Sequence, residues 1–364
     1  MSKTILEVID LKKHFTHRKG LFSTFKGQQQ SIPAVDGVSF YLKENETIGL
    51  VGESGCGKTT IGRTILRLEK PTSGKIIFGG SDITTVPTAE LRQLRGQMQM
   101  IFQDLDAALN PRMRMRDILK EAVTVHHRIS DAEADKRISE LLEQVNVKKS
   151  TLSNSPHELS GGEKRRMGVA RVLSVGARFI VADEPTSALD VSIQAQVVNL
   201  LRDLQKQLGL SYLFISHDLR VVELISHKVA VMYLGKIVEM GLADLIAHKA
   251  CHPYTHILWA SLVEKQSKEI SRVATSVQAG RWGVFDFERP VSGCRFAPRC
   301  PVYESKGKPP VCTDPATEPL LMRPKSVVVA GCPGKSSTAS ASPPANSPSR
   351  LRCTGSSPPK RSPD

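Results

Sequence analysis

Residues 52–59 read GESGCGKT: glycine, four intervening residues, glycine, lysine and a hydroxyl. This G-x-x-x-x-G-K-[ST] spacing lets a backbone loop close around phosphate oxygens. Gly52, Gly55 and Gly57, with Ser54 and Cys56 between them, allow successive N–H groups to point inward. Lys58 supplies a cation for β- and γ-phosphates, and the Thr59 hydroxyl suits a magnesium ion. Thr60 opens the helix that must follow, whose N-terminus adds further positive potential. Cys56 reads as a small filler rather than a reactive group.

A second stretch completes the chemistry. FIVADE, residues 179–184, places two carboxylates after four apolar positions. Such a strand delivers Asp183 at its end, where it can reach Mg²⁺ directly or through water. Glu184, one residue on, is expected on the other side of the strand, suited to polarising the water that attacks a γ-phosphate. Phosphoryl transfer asks mainly for positioning and charge neutralisation, so these two stretches supply most of what it needs.

Positioning them requires strand, loop and helix in that order. TIGLV, 47–51, is a buried strand by its apolar run. Ile61, Ile65 and Leu68 then recur at helical spacing until PTSG breaks the helix, and KIIF forms another strand. From about 110 to 176 the apolar pattern is helical, with Ile138, Leu141, Leu142 and Val145 on one face. Ser130 and Glu133 fit a capping box at that helix's start. The strand RFIVADEP follows, then a helix carrying Val197, Leu201, Leu204 and Leu208. SYLFISHD is a strand with a polar end, and KVAVMYLGKIVEMG is a strand and a hairpin. The pattern is an α/β core interrupted by a helical insertion. Beyond 251 periodicity fades while Pro and Cys increase, and 335–364 is low-complexity sequence, expected to be disordered, with Cys353 a stray thiol in it.

LSGGE, 159–163, lies just ahead of FIVADE and resembles the signature sequence of ABC ATPases. With FQD (Gln103), SALD (187–190) and ISHD (His217), five motifs stand in that family's order across roughly residues 5 to 245. The resemblance implies an α/β P-loop NTPase fold of ABC ATPase type: a RecA-like core, an antiparallel β subdomain and a helical subdomain at about 104–177. The ATPase domain then covers 1–250, a small extension with four cysteines 251–334, and the tail 335–364. It also implies a composite site between two such domains. Ser160, Gly161 and Gly162 would offer donors to the γ-phosphate of ATP on the partner's P-loop. Gln103 would sense Mg²⁺ and the attacking water, His217 would contact the γ-phosphate, and Asp190 would touch the opposing P-loop. Phe15 is the aromatic chosen to stack on adenine, although residues 16–33 look inserted between it and the P-loop. Two departures stand out. Glu163 replaces the commoner glutamine and has the S-x-x-E spacing of a helix cap; EKRR replaces a more usual glutamine-containing run, and activity is expected to survive both changes with a less efficient signature side.

Finer stretches narrow the resemblance. MQMIFQDLDAALNPRMRMRDIL, ADEPTSALDVSIQAQVVNLL, CHPYTHILWASL and GCRFAPRCP together look like ATPase subunits of oligopeptide/dipeptide ABC transporters, with nickel-transporting members close by. QDLDAALNP departs from the commoner QDPYASLNP in the region expected to feel the membrane partner. The resemblance implies a peripheral subunit on the cytoplasmic face of the cell membrane. Its partners would be a second, often unlike, ATPase subunit, two transmembrane permease subunits and, indirectly, an extracytoplasmic peptide-binding protein, with import the usual direction. Arg112-Met113-Arg114-Met115-Arg116 falls where a membrane subunit's coupling helix would dock; a solvated basic strand beside a Met-filled core is the plainer reading.

Composition sets the remaining bounds. A net charge of +14 over 364 residues invites nucleic acid or an anionic membrane surface, but the basic residues are spread out. The long coiled coil, zinc modules or paired ATPase domains of nucleic-acid-acting relatives are not visible, so no specific nucleic-acid partner is expected. No run of eighteen apolar residues or secretory signal is seen, which predicts a cytosolic chain in which structural disulfides are rare. Cys294, Cys300, Cys312 and Cys332 are spaced x5, x11 and x19, without the tight pairs of a zinc knuckle. Spacing leaves unrelated thiols and a looser iron–sulfur ligand set both open. The family resemblance associates this pattern with a [4Fe–4S] cluster, whose role would be to staple a loop-rich extension.

Overall fold

A computed structural model of the chain describes residues 3–17, 30–125, 129–263, 293–314, 321–322 and 327–330. Strands β1 (Thr4–His17) and β2 (Gln30–Lys43) pair antiparallel, joined by residues outside the described set. Two further strands, β4 (Ser73–Phe78) and β5 (Ser81–Asp82), extend them into a four-stranded sheet, order β2-β1-β4-β5.

The second sheet collects the apolar runs. Its strands are β3 (Thr47–Val51), β6 (Met98–Ile101), β7 (Phe179–Asp183), β8 (Ser211–Ile215), β9 (Lys228–Tyr233), β10 (Lys236–Leu242), β11 (Leu321–Met322) and β12 (Val327–Ala330). Their order is β11-β12-β10-β9-β3-β8-β7-β6, parallel from β9 to β6 and antiparallel beyond. The parallel strands are mostly apolar because both faces are covered, with polar residues mainly at their ends. On β7, Phe179 and Val181 enter the core beneath the antiparallel sheet, while Ile180 and Ala182 enter the core on the opposite face. β8 alternates likewise, with Leu213 and Ile215 against Tyr212 and Phe214. The β9–β10 hairpin turns through Leu234 and Gly235, both at positive φ (43° and 87°), as a tight two-residue turn demands.

Helices α1 (Lys58–Ile65) and α2 (Thr88–Leu94) belong to the first half. The run α3 (Leu105–Ala108), α4 (Met115–Val125), α5 (Asp131–Gln144) and α6 (Gly161–Leu173) lies between β6 and β7, with short 3₁₀ turns among them. Then come α7 (Val191–Leu208), α8 (Leu219–Ile225), α9 (Ala243–Lys249), α10 (Pro253–Val263) and α11 (Pro301–Ser305). Among the described residues no helix is long and apolar enough to cross a membrane.

Three local expectations need amending. α1 ends at Ile65 rather than running to Leu68, because Arg67 takes a left-handed conformation (φ 55°) and leaves Leu68 exposed. On α5 the Ser130 hydroxyl does accept from the Glu133 N–H, but the Glu133 carboxylate lies 3.7 Å from Arg137. Arg112–Arg116 is no strand: the helix α4 begins at Met115, which is buried, while Arg112, Arg114 and Arg116 face water and Arg116 pairs with Asp135 at 2.8 Å.

Candidate functional site

The phosphate loop leaves β3 at Val51 and enters α1 at Lys58. Two of its glycines are dictated by sterics. A Cβ on Gly52 (φ 152°) would lie 2.2 Å from the Met232 carbonyl oxygen, and one on Gly57 (φ 110°) 2.1 Å from that of Ala34. The loop is therefore wedged between β9 and β2, and only glycine fits. Lys58 is buried, and its Nζ donates to the carbonyls of Gly52 (2.8 Å) and Glu53 (2.9 Å), stretching the ammonium back over the loop. Burial raises the Cys56 thiol above its ordinary pKa despite nearby Lys58, which keeps it a neutral filler.

Thr59 Oγ1 donates to Asp183 Oδ1 at 3.0 Å, joining the loop to the end of β7. Burial raises the Asp183 carboxyl pKa; Thr59 opposes the shift and Glu184 adds to it. A desolvated carboxylate beside a hydroxyl is a hard-oxygen pair whose charge a divalent cation would offset, so these residues fit Mg²⁺. Gln103 sits exposed just past β6, and its carbonyl accepts from Arg165 Nη1 at 2.9 Å.

Glu184 does not simply continue the strand's alternation. Its backbone swings to φ 49°, its N–H donates to the Ile215 carbonyl (2.9 Å), and the Ser187 N–H and hydroxyl cap its own carbonyl at 3.1 and 2.9 Å. A non-glycine residue holds that conformation only when its surroundings impose it. The result aims the carboxylate at His217: Oε2 lies 2.6 Å from Nδ1, across the ends of β7 and β8.

Ser160 caps α6 in a complete capping box. Its hydroxyl accepts from the Glu163 N–H (3.3 Å) and donates to the Glu163 carboxylate (2.7 Å), which also accepts the Ser160 N–H (3.1 Å). These bonds hold the Glu163 carboxyl below its ordinary pKa. Gly161 and Gly162 abut Leu189 and Ile193, since a Cβ on either would come within 3.2 and 3.0 Å of those side chains. Asp190 caps α7 by accepting the Ile193 N–H at 2.9 Å. Phe15 pairs with Ile32 on β2, two residues from the Ala34 carbonyl that touches the phosphate loop; it is 40% exposed, with Lys13 Nζ 4.7 Å from its ring centroid.

The four-cysteine expectation fares differently. Cys294, Cys300 and Cys312 are free thiols, and Cys332 lies outside the described residues. Among the described residues no three His, Cys, Asp or Glu side chains form a group able to hold a metal ion. Burial raises the pKa of all three thiols, so each is protonated in the metal-free chain. The described residues thus lend no support to a [4Fe–4S] cluster.

Sequence reasoning passed over Arg165. Buried in α6, it donates to the carbonyls of Phe102 (3.2 Å) and Gln103 (2.9 Å) and to the Ser187 carbonyl (3.2 Å) and hydroxyl (3.3 Å). One guanidinium thus ties the signature helix to the Gln103 loop and to the turn that bends Glu184. The signal was the EKRR run, noticed only as a departure.

Comparison with known proteins agrees with this geometry. Residues 35–187 match the ABC transporter family model, and residues 238–306 match the oligopeptide/dipeptide transporter C-terminal region. The chain is 45% identical over 317 residues to the oligopeptide transport ATP-binding protein AppF of Bacillus subtilis, covering 87% of this chain and 93% of that one. It is 44% identical over 301 residues to OppF of Salmonella typhimurium, covering 82% and 89%. Among solved structures it resembles the dimeric bacterial ABC transporter cassette MJ0796 (TM-score 0.58, 25% identity, 66% of this chain, 99% of that one). CbiO1 of Clostridium perfringens shares the fold (TM-score 0.57, 24% identity, 76% and 99%). The chain is an ABC ATPase and belongs to the family of oligopeptide-transport ATP-binding proteins.

Proposed function

We propose that this chain hydrolyses ATP to energise the import of oligopeptides or dipeptides through a membrane transporter. The observation that carries the reading is the meeting of Thr59 with Asp183, and of Glu184 with His217, at the ends of adjacent parallel strands beside the phosphate loop. Relatives named for oligopeptide transport support the substrate class.

In this reading Gly52–Thr60 wraps the triphosphate, and Lys58 exchanges its loop carbonyls for β- and γ-phosphate oxygens. Thr59, Asp183 and, through its exposed amide, Gln103 would hold Mg²⁺, which supplies charge neutralisation at the β- and γ-phosphates when bound. Glu184 orients a water toward the γ-phosphorus and receives its proton. As the water oxygen bonds to phosphorus, the bond to the β-phosphate oxygen breaks, leaving ADP and phosphate. His217 holds the Glu184 carboxylate in place and faces the γ-phosphate. Phe15 stacks on adenine. Ser160, Gly161 and Gly162 serve the nucleotide on a second ATPase subunit, and Asp190 meets that subunit's phosphate loop. Two permease subunits complete the assembly, with this chain peripheral on the cytoplasmic face and an extracytoplasmic peptide receptor upstream. The domain assignment in this reading is an ATPase domain at 1–250 with a helical subdomain at about 104–177, an extension at 251–334 and a tail at 335–364.

Glu184→Gln tests the catalytic assignment. It keeps the shape and the contact to His217 but removes the proton acceptor, so kcat should fall by about 10²-fold or more. MgATP should then hold two subunits together, read by light scattering or sedimentation. Turnover equal to the unsubstituted chain overturns the role given to Glu184.

A further inference from the structure

The GCRFAPRCP segment, singled out for its cysteines, is docked on the nucleotide loop by its arginines. Phe296 is buried, its ring 5.3 Å from Tyr233 and 5.4 Å from Tyr254 by centroids. Arg295 bonds the Leu234 carbonyl and the Asp36 carboxylate, fixing the segment to the β9–β10 turn and to β2. Arg299 then reaches the phosphate loop itself. Its Nη1 donates to Glu53 Oε2 at 3.0 Å and its Nη2 to Glu53 Oε1 at 2.9 Å, a two-pronged grip, while Nη1 also donates to the Tyr233 hydroxyl at 3.0 Å.

Glu53 is the second residue of GESGCGKT, so every group it touches acts on the phosphate loop. Its backbone N–H donates to the Tyr254 hydroxyl (2.9 Å), and its carbonyl accepts from Lys58 Nζ (2.9 Å). The side chains of Arg299 and Glu53 are 20% and 29% exposed, less open to water than an ordinary surface pair. The geometry solves an electrostatic problem. A carboxylate in a loop that must accept a polyanion repels it, and the repulsion is strong where water is partly excluded. A forked guanidinium neutralises that charge and fixes its direction in one contact.

We propose that Arg299 is a positioning residue for nucleotide binding: through Glu53 it sets the shape and charge of the phosphate loop, so the C-terminal segment tunes ATP affinity from outside the site. The inference rests on Gly52–Thr60 being the nucleotide loop. It gives the segment a task that needs no metal, since Phe296, Arg295 and Arg299 carry the docking.

The test is a double-mutant cycle on the full chain, titrating MgADP by calorimetry and measuring kcat and KM for ATP. Arg299→Ala leaves Glu53 unpaired, and the Kd for MgADP and KM for ATP should rise about tenfold with kcat within about twofold of the parent. Adding Glu53→Gln to Arg299→Ala removes the stranded charge and should restore Kd to within about threefold of the parent. A merely structural staple would lower the melting temperature while leaving Kd near that of the parent. Arg299→Lys, which keeps the charge but loses the fork, should fall between, and it carries the test together with the double variant should Arg299→Ala fail to fold. Parent-like affinity in Arg299→Ala and Arg299→Lys, or a double variant no better than the single, overturns the proposal. A parent chain that binds no MgADP overturns the nucleotide-loop reading instead, a separate result.

Discussion

Ser160 is asked to do two things at once. Its hydroxyl donates to the Glu163 carboxylate at 2.7 Å, and in the proposed assembly the same hydroxyl faces a γ-phosphate on the partner subunit. The Glu163 charge, kept ionised by its capping bonds, stands in the first turn of α6, beside that hydroxyl. Glu163→Gln retains an acceptor for the Ser160 N–H but removes the charge. Stability should change by less than about 0.5 kcal/mol, as for surface substitutions that keep their cap. MgATP-driven association of Glu184→Gln subunits should tighten several-fold, on the order of 1 kcal/mol of like-charge repulsion removed. Sedimentation of the paired variants decides it, and unchanged or weaker association would mean that Glu163 is a cap and nothing more. At this scale, what the motifs specify by local spacing was legible: Lys58, Thr59 and Asp183 stand where neighbours in sequence put them. Arg165 and the left-handed turn at Glu184 were not, because their partners at Gln103, Ser187 and Ile215 are brought close only by the fold.

Among the elements, legibility followed burial. The runs TIGLV, FIVAD and SYLFI are apolar on both faces and could be little else than buried strands. The end of α1 was misread because Arg67 turns left-handed with no glycine to announce it. The region after 251 looked featureless for a related reason: α10 is anchored by distant groups rather than by periodicity. The Glu239 carboxylate, buried in β10, accepts the N–H groups of Cys251 (2.7 Å) and His252 (3.1 Å) ahead of that helix. His252 is itself buried against Phe296, and burial lowers its pKa to about 4, with nearby His256 adding to the shift. The unfolded chain therefore takes up this proton near the ordinary histidine value, about 6.5, while the folded chain resists it. The stability linked to neutral His252 is complete above that value and is lost as pH falls from there toward about 4. Thermal melts across that window should show a falling midpoint, and His252→Gln should flatten the fall even if it lowers the midpoint overall. Parallel pH profiles for the two chains would show that His252 is not the group responsible.

For the whole molecule, the net charge of +14 was the least informative number in the sequence, because a sum does not say where the charge sits. Many basic residues are spent in separate pairs: Lys13 with Glu69 (3.1 Å), Arg178 with Glu44 (2.7 Å), Lys228 with Glu46 (2.8 Å) and Arg116 with Asp135 (2.8 Å). Other arginines turn inward instead, buried Arg165 to loop carbonyls and half-buried Arg299 to Glu53. Charge scattered in this way raises the average potential but carries no base-sequence information by itself. The chain should accordingly hold duplex DNA only by counterion release. Retention on DNA at about 50 mM salt should weaken by orders of magnitude by about 200 mM, equally for unrelated sequences. ATP turnover should not respond to the DNA at either salt concentration, because the groups that act on nucleotide are engaged within the protein. A sequence-selective complex that persists at the higher salt, or turnover stimulated by DNA, would move the chain from transport toward nucleic-acid work. The nucleotide chemistry of Lys58, Asp183 and Glu184 would be the same in either setting, so what sits on the helical side of the molecule, rather than the site, decides the role.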